Sequence, residues 1–202
     1  DSFTITTPKS RDHTEIMLNE FGCNITLESD SINVIPGKLT SPNTIDIPGD
    51  ISSAAFFIVG SIISEDSQVK IENVGLNPLR TGFIDILKMM GATIEISDLK
   101  TVNGEVVGNI DVESSSLEGI TIPKELIASS IDELPLIILA ASQADGKTSL
   151  RNAEELRFKE SDRILSMAKM MESFDISIDE FDDGIDIHGG IIQGNTVNSF
   201  GD

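Results

Sequence analysis

A block of about eighty residues that recurs along the chain limits its fold more than any other feature of the sequence. Three segments each carry a helix-like apolar pattern, a sharp stop and a short alternating strand: EIMLNEFGCNITL (15–27), DILKMMGATIEI (85–96) and SMAKMMESFDISI (166–178). Gly22 and Gly91 fall where a helix ends in a left-handed cap, and Glu172 stands in their place in the third copy. On this alignment Phe21, Met90 and Met171 correspond. A further alternating run follows each strand: SINVI, EVVGNIDV and GIDIH. In the last two copies the likeness extends backwards. SSAAFFIVGSIISEDSQVKIENV and DELPLIILAASQADGKTSLRNA both read as an apolar helix, a polar turn and a strand, and one constant offset sets Ser53 on Asp132 and Asn73 on Asn152.

The unit is therefore strand, helix, strand, helix, strand, strand. It is too long for a solenoid repeat and predicts an α/β (α+β) domain assembled from copies of one module; an ordinary sandwich would leave the recurrence to chance. Two helices, Phe56 to Ile63 and Leu134 to Ala141, are apolar nearly all round, so some of the helices should be buried inside a ring of sheets. A domain boundary is expected at IDIPGD (Ile45 to Asp50), where a strand-like run meets Pro48-Gly49 and Asp50 can cap the next helix. Residues 1–47 then carry the tail of one domain and residues 48–202 two modules of another.

Composition narrows the partners. Thirty-four acidic residues against 14 basic ones give a net charge of −20, which excludes a duplex-binding surface built on clustered cations. The same excess makes any local basic cluster informative. With no Trp or Tyr and nine Phe, the core must be mostly Ile, Leu, Val and Met. The apolar run SSAAFFIVGSIIS falls short of the ~18 residues that a membrane span needs. A single cysteine, Cys23, excludes an intramolecular disulfide and a cysteine-built zinc site, and fits a reducing cytoplasm. The chain opens on DSFTITT, without a Met or signal-like run, and ends at SFGD, as a piece of something longer would.

Two stretches can carry chemistry. In LRFKESDRI (156–164) a helix is expected to begin near Glu160 or Ser161, since Ile164, Met167, Ala168 and Met171 follow a helical period. Lys159 and Arg163 would then lie one turn apart at a helix N-terminus, a setting that favours an anion, with Glu160 between them as a proton handler. Ordinary salt-bridged surface helices also begin this way. In SSIDELPLIILAA (129–141) an acidic pair precedes an intensely apolar helix. Asp132 or Glu133 there could act as a base on a substrate hydroxyl, but a plain helix cap worth about 1 kcal/mol is the simpler expectation. Cys23 is expected to pack, His13 to face solvent, His188 to mark a turn beside Gly189-Gly190, and the pairs Met89-Met90 and Met170-Met171 to be core. Arg80 either caps a cleft or bridges to the acidic surface.

GDISSAAFF, the IDELP stretch, LRNAEELRFKESDRI and the early KSRDHTEIML together resemble the 5-enolpyruvylshikimate-3-phosphate synthase family, in the form common among Gram-positive bacteria. The likeness runs over essentially the whole chain, in order. It implies an inside-out barrel fold of the enolpyruvyl transferase type, with two domains of three modules each, here incomplete. Residues 1–47 would close the middle domain, and residues 48–202 would give two modules of the C-terminal one. The implied reaction moves enolpyruvyl from phosphoenolpyruvate to the 5-hydroxyl of shikimate 3-phosphate, releasing phosphate, in the pathway to chorismate and the aromatic amino acids, with no metal or organic cofactor. Carried over by motif, Asp132 is the proton acceptor on the shikimate hydroxyls and Glu160 handles the proton at the methylene carbon. Lys159 would contact shikimate 3-phosphate, Arg163 the phosphoenolpyruvate carboxylate, and Ser10 the shikimate phosphate. Glu155 stands where some members place an Asn on that ligand, which leaves its role open. The family's early Pro-Gly-Ser-Lys-Ser segment is missing, as are the other domain's phosphoenolpyruvate-binding Arg region and the His-Arg that follows Asp202. The chain alone is therefore expected to be inactive and open to self-association, and the full-length enzyme to be a cytoplasmic monomer. The nearest rival is the sister family acting on UDP-N-acetylglucosamine, which lacks the Lys-Glu-Ser-Asp-Arg run; a catalytically silent folding or binding unit is the other alternative.

Overall fold

The computed structural model describes residues 3–6, 10–27 and 31–199. Three copies of a strand–helix–strand–strand unit follow one another. The first comprises β1 (Phe3–Thr6), α1 (His13–Glu20), β2 (Asn24–Leu27) and β3 (Ser31–Ile35). The second and third copies each begin with an additional helix. These copies are α2 (Ile51–Ile63), β4 (Gln68–Gly75), α3 (Gly82–Met89), β5 (Thr93–Val102), β6 (Glu105–Glu113), and then α4 (Leu134–Ala141), β7 (Lys147–Leu150), α5 (Arg163–Ser173), β8 (Ile178–Phe181), β9 (Gly184–His188). Every copy forms an open antiparallel sheet with its last strand in the middle, in the orders β1-β3-β2, β4-β6-β5 and β7-β9-β8. The expected leading strand of each full module is reduced to single parallel bridges, Gly49 to Val74, Glu118 to Asp145 and Thr121 to Ser149.

The stops after the repeated helices share one hydrogen-bond pattern. Gly22 and Gly91 take positive φ (79° and 101°), and the amides of Cys23 and Ala92 reach back to the carbonyls of Leu18 and Leu87. In the third copy the helix runs on to Ser173, and Asp175 (φ 61°) is the left-handed residue, with Ile176 N–H bonded to Met171 O. Glu172 therefore lies inside the helix, and Phe174, not Met171, is the counterpart of Phe21 and Met90. Aspartate tolerates this backbone region better than most side chains, which lets it stand in for glycine.

One core joins the two full modules. Ile58 and Ile62 of α2 meet Leu134, Ile137 and Ile138 of α4 in it, with Phe83, Ile86 and Leu87 from α3 and Ile164 and Met171 from α5. Full burial of such a side chain stabilises by about 1.5–3 kcal/mol. No described residue before Ile51 belongs to this core; Ile25 and Ile32 are buried in the N-terminal sheet apart from it. Both all-apolar helices contribute to this core, α4 with most of its surface and α2 with one face. On α2, Phe56 and Phe57 are each 66% exposed, although β4, β6 and α4 pack against the helix. Met89 likewise faces solvent while its neighbour Met90 is buried.

Asp186, buried in the central strand β9, holds the third sheet electrostatically. Lys147 Nζ lies 2.9 Å and Arg151 Nη1 2.7 Å from its carboxylate, and Arg151 also stacks 3.7 Å over the Phe181 ring. Burial alone would push the Asp186 carboxyl up, but hydrogen bonds from Arg151, Lys147 and Ser149 more than offset it and hold the group at about 2. A carboxyl lowered in the folded state contributes stability that is present above its unfolded value of 3.8 and is lost as pH falls through about 2. Asp186→Asn is thus expected to cost about 2 kcal/mol at pH 7 and almost nothing near pH 2. Urea denaturation at both pH values checks this; an equal loss at both would show that the ion pairs contribute nothing.

Candidate active site

The site forms where the segment before α4 meets the heads of α2 and α5. Asp50 caps α2 through bonds from Ser52 N and Ser53 N, as the sequence suggests. Gly82 brings the start of α3 hard against the segment leading to Asp132, since a Cβ there would stand 2.0 Å from Ser129 Oγ and 2.7 Å from Ser130 Oγ. Neither acidic residue before α4 caps it, contrary to the simpler expectation. Glu133 occupies the cap position without a side-chain cap bond, and Asp132 is drawn away by cations.

Three cations surround Asp132. Arg11 Nη2 lies 3.1 Å from Oδ2, Arg80 Nη2 3.8 Å from the same oxygen, and Lys159 Nζ 3.9 Å from Oδ1. Beneath them Glu133, only 1% exposed, accepts a hydrogen bond from Ser52 Oγ, and Arg80 in turn donates to Ser52. Burial pushes the Glu133 carboxyl up, only partly offset by the Ser52 hydroxyl and the Arg80 guanidinium. Among the described residues Glu133 Oε2, Ser130 Oγ and Arg80 Nε are buried without a hydrogen-bond partner.

The Lys159–Arg163 run departs from its expected geometry. A short 3-10 helix covers Glu154–Phe158, Lys159 to Asp162 form an irregular segment, and α5 begins only at Arg163. Asp162 is its cap, accepting from Leu165 N, and so satisfies one of the amides that an anion would otherwise use. Arg157 fixes this segment by gripping Asp162 at 2.8 Å and Glu180 at 2.9 Å. Lys159 therefore approaches from a loop and pairs with Asp132 and with Glu155 (3.3 Å) rather than with Glu160. Glu160 pairs with Arg163, at 3.0 Å, and its side chain is 70% exposed. Ser10 is exposed, and its carbonyl accepts from Arg11 (2.6 Å). His13 is not simply solvent-facing, because it pairs with Glu105.

A cleft of about 500 Å³ opens beside these groups, lined by Ser52, Asp132, Glu133, Arg163, Ser166 and Met167 among others. Its polar end suits an anionic ligand whose hydroxyl could meet a carboxylate. Among the described residues no group of three or more His, Cys, Asp and Glu could hold a metal ion, and no helix is long and apolar enough to cross a membrane. Sequence reasoning missed Arg11, named Glu133 only as the alternative to Asp132, and left Arg80 open. The one signal available was that each cation is unusual in a chain of net charge −20.

A family model described as EPSP synthase (3-phosphoshikimate 1-carboxyvinyltransferase) matches residues 3–202. The chain is 48% identical over 198 residues to a 3-phosphoshikimate 1-carboxyvinyltransferase of Petrotoga mobilis, covering 96% of this chain and 46% of that protein. It superposes on an EPSP synthase from Acinetobacter baumannii with a TM-score of 0.89 at 43% identity, covering 96% of this chain and 44% of that one. The enolpyruvyl transferase NikO from Streptomyces tendae shares the fold alone, with a TM-score of 0.68 at 17% identity over 93% of this chain and 42% of that one. The chain spans about half the length of the curated relatives it matches.

Proposed function

Because the chain belongs to the EPSP synthase family, we propose that it is roughly half of an enzyme that transfers enolpyruvyl from phosphoenolpyruvate to the 5-hydroxyl of shikimate 3-phosphate. The observation that carries this is that Asp132 and Arg163, from separate segments of the third module, line one cleft, with Lys159 paired to Asp132. In the transfer, the 5-oxygen attacks C2 of phosphoenolpyruvate while its proton passes to Asp132. A proton delivered by Glu160 converts the methylene carbon to a methyl, giving a tetrahedral intermediate. Glu160 then takes a proton back from that methyl as the C–O bond to phosphate breaks, and the hydroxyl proton held by Asp132 passes to the departing phosphate, which restores both carboxyls. Lys159 and Ser10 hold shikimate 3-phosphate, and Arg163 forks onto the phosphoenolpyruvate carboxylate. No metal or organic cofactor takes part.

Residues 1–47 are proposed to close one domain and residues 48–202 to give two modules of the next; the separation of Ile25 and Ile32 from the main core supports that boundary. Closure of two domains would supply the remaining anion-binding groups and exclude water. The full-length protein is proposed to act as a cytoplasmic monomer. Calorimetry on it should show binding of shikimate 3-phosphate and none of UDP-N-acetylglucosamine; the reverse would assign it to the sister reaction. The 202-residue chain alone, given both substrates, should show no turnover. Measurable turnover would mean that the missing half supplies nothing essential.

A further inference from the structure

We propose that Arg11 is a positioning residue for this transfer: it fixes the Asp132 carboxylate against the crossing between the N-terminal segment and the two modules. The inference rests on the role proposed above for Asp132. One guanidinium gathers several chain segments. Nη1 donates to the carbonyls of Ser10 (2.6 Å), Leu79 (3.1 Å) and Ala128 (3.3 Å), while Nη2 donates to Asp132 Oδ2 (3.1 Å). Leu79 belongs to the loop before α3 and Ala128 to the segment before α4, so both modules are tied to the start of α1. Of the three cations around Asp132, only Arg11 hydrogen-bonds its carboxylate; Arg80 and Lys159, at 3.8 and 3.9 Å, are too far.

The backbone that carries Arg11 is pinned as well. Asn77, buried in the first full module, donates to Asp12 Oδ1 (2.7 Å) and to Glu105 Oε2 (3.2 Å), and Glu105 pairs with His13. The arginine is therefore held at both ends, which a loosely tethered surface ion pair would not be. Its grip on Oδ2 leaves Oδ1, with Lys159 beside it, for the hydroxyl proton. A fork with five donors in one plane can serve carbonyls and a carboxylate together, and the single ammonium of lysine cannot. A carboxylate displaced by about 1 Å can cost about 100-fold in rate.

The test uses the full-length protein with Arg11→Ala and Arg11→Lys, measuring kcat, KM for both substrates and thermal melting. Arg11→Ala is expected to lower kcat about 10- to 100-fold with KM for phosphoenolpyruvate within about threefold, and Arg11→Lys to recover only part of that loss. A purely structural role would lower the melting temperature while leaving kcat per folded site unchanged. If the alanine variant does not fold, the lysine variant decides. A kcat within about twofold of the parent in either folded variant, or a loss confined to KM, overturns the inference. Asp132→Asn separates the two levels: parental turnover there sinks the assignment of the site itself, whereas failure of the Arg11 variants alone sinks only the positioning role.

Discussion

Glu160→Gln, made in the full-length protein, is expected to lower kcat by about 10²- to 10⁴-fold while leaving binding of both substrates within a few-fold. Glutamine keeps the shape of the side chain and its place on the irregular segment before α5 but can neither donate nor accept the transferred proton. The fold should not notice the change. Glu160 is largely exposed and pairs with Arg163, an ion pair of a kind that contributes little to stability. A deep loss of turnover with an unchanged melting temperature therefore separates a catalytic carboxyl from a surface pair. Intact turnover would mean that the Lys159–Arg163 run is the ordinary helix lead-in it resembles by pattern.

Asp132→Asn should be nearly as damaging, with kcat lowered by at least about 100-fold. The reason differs, because the asparagine still fits between Arg11, Arg80 and Lys159 but leaves three cations facing a neutral amide. Those cations are only partly buried, so water can compensate them and the protein should still fold. Steady-state kinetics paired with thermal melting checks both halves. If turnover and folding fell together, the carboxylate would be serving the cluster rather than the chemistry.

Much of the architecture was legible because it is written locally. Glycines 22 and 91 mark helix stops, alternating runs mark strands, and the third copy repeats the order. The misalignment there arose because Glu172 filled the slot of a gapless repeat, while the helix itself runs further and stops at an aspartate. Helix α2 shows another limit. An all-apolar surface tells how much wants burial but not which neighbours are present to bury it, and Phe56 and Phe57 stay exposed, Phe56 on the wall of the cleft.

The site was legible only in part. Asp132, Lys159 and Arg163 stand in recognisable runs, but the cap expected of the acidic pair and the helical setting expected of Lys159 both failed. Each gave way to charge pairing between residues far apart in sequence, which no local pattern encodes. Arg11 reaches Asp132 across 121 positions, and Ser52 reaches Glu133 across 81. That second separation is about one repeat length, so the heads of two equivalent helices meet there.

The central claim is that these residues serve enolpyruvyl transfer to shikimate 3-phosphate. The most direct measurement incubates the full-length protein with phosphoenolpyruvate and candidate acceptors, following phosphate release and the enol ether product by NMR. Phosphate should appear only when phosphoenolpyruvate and shikimate 3-phosphate are both present, in equal amount to a new enolpyruvyl ether at the 5-oxygen. Release with UDP-N-acetylglucosamine instead, or no release with either acceptor, would contradict the account.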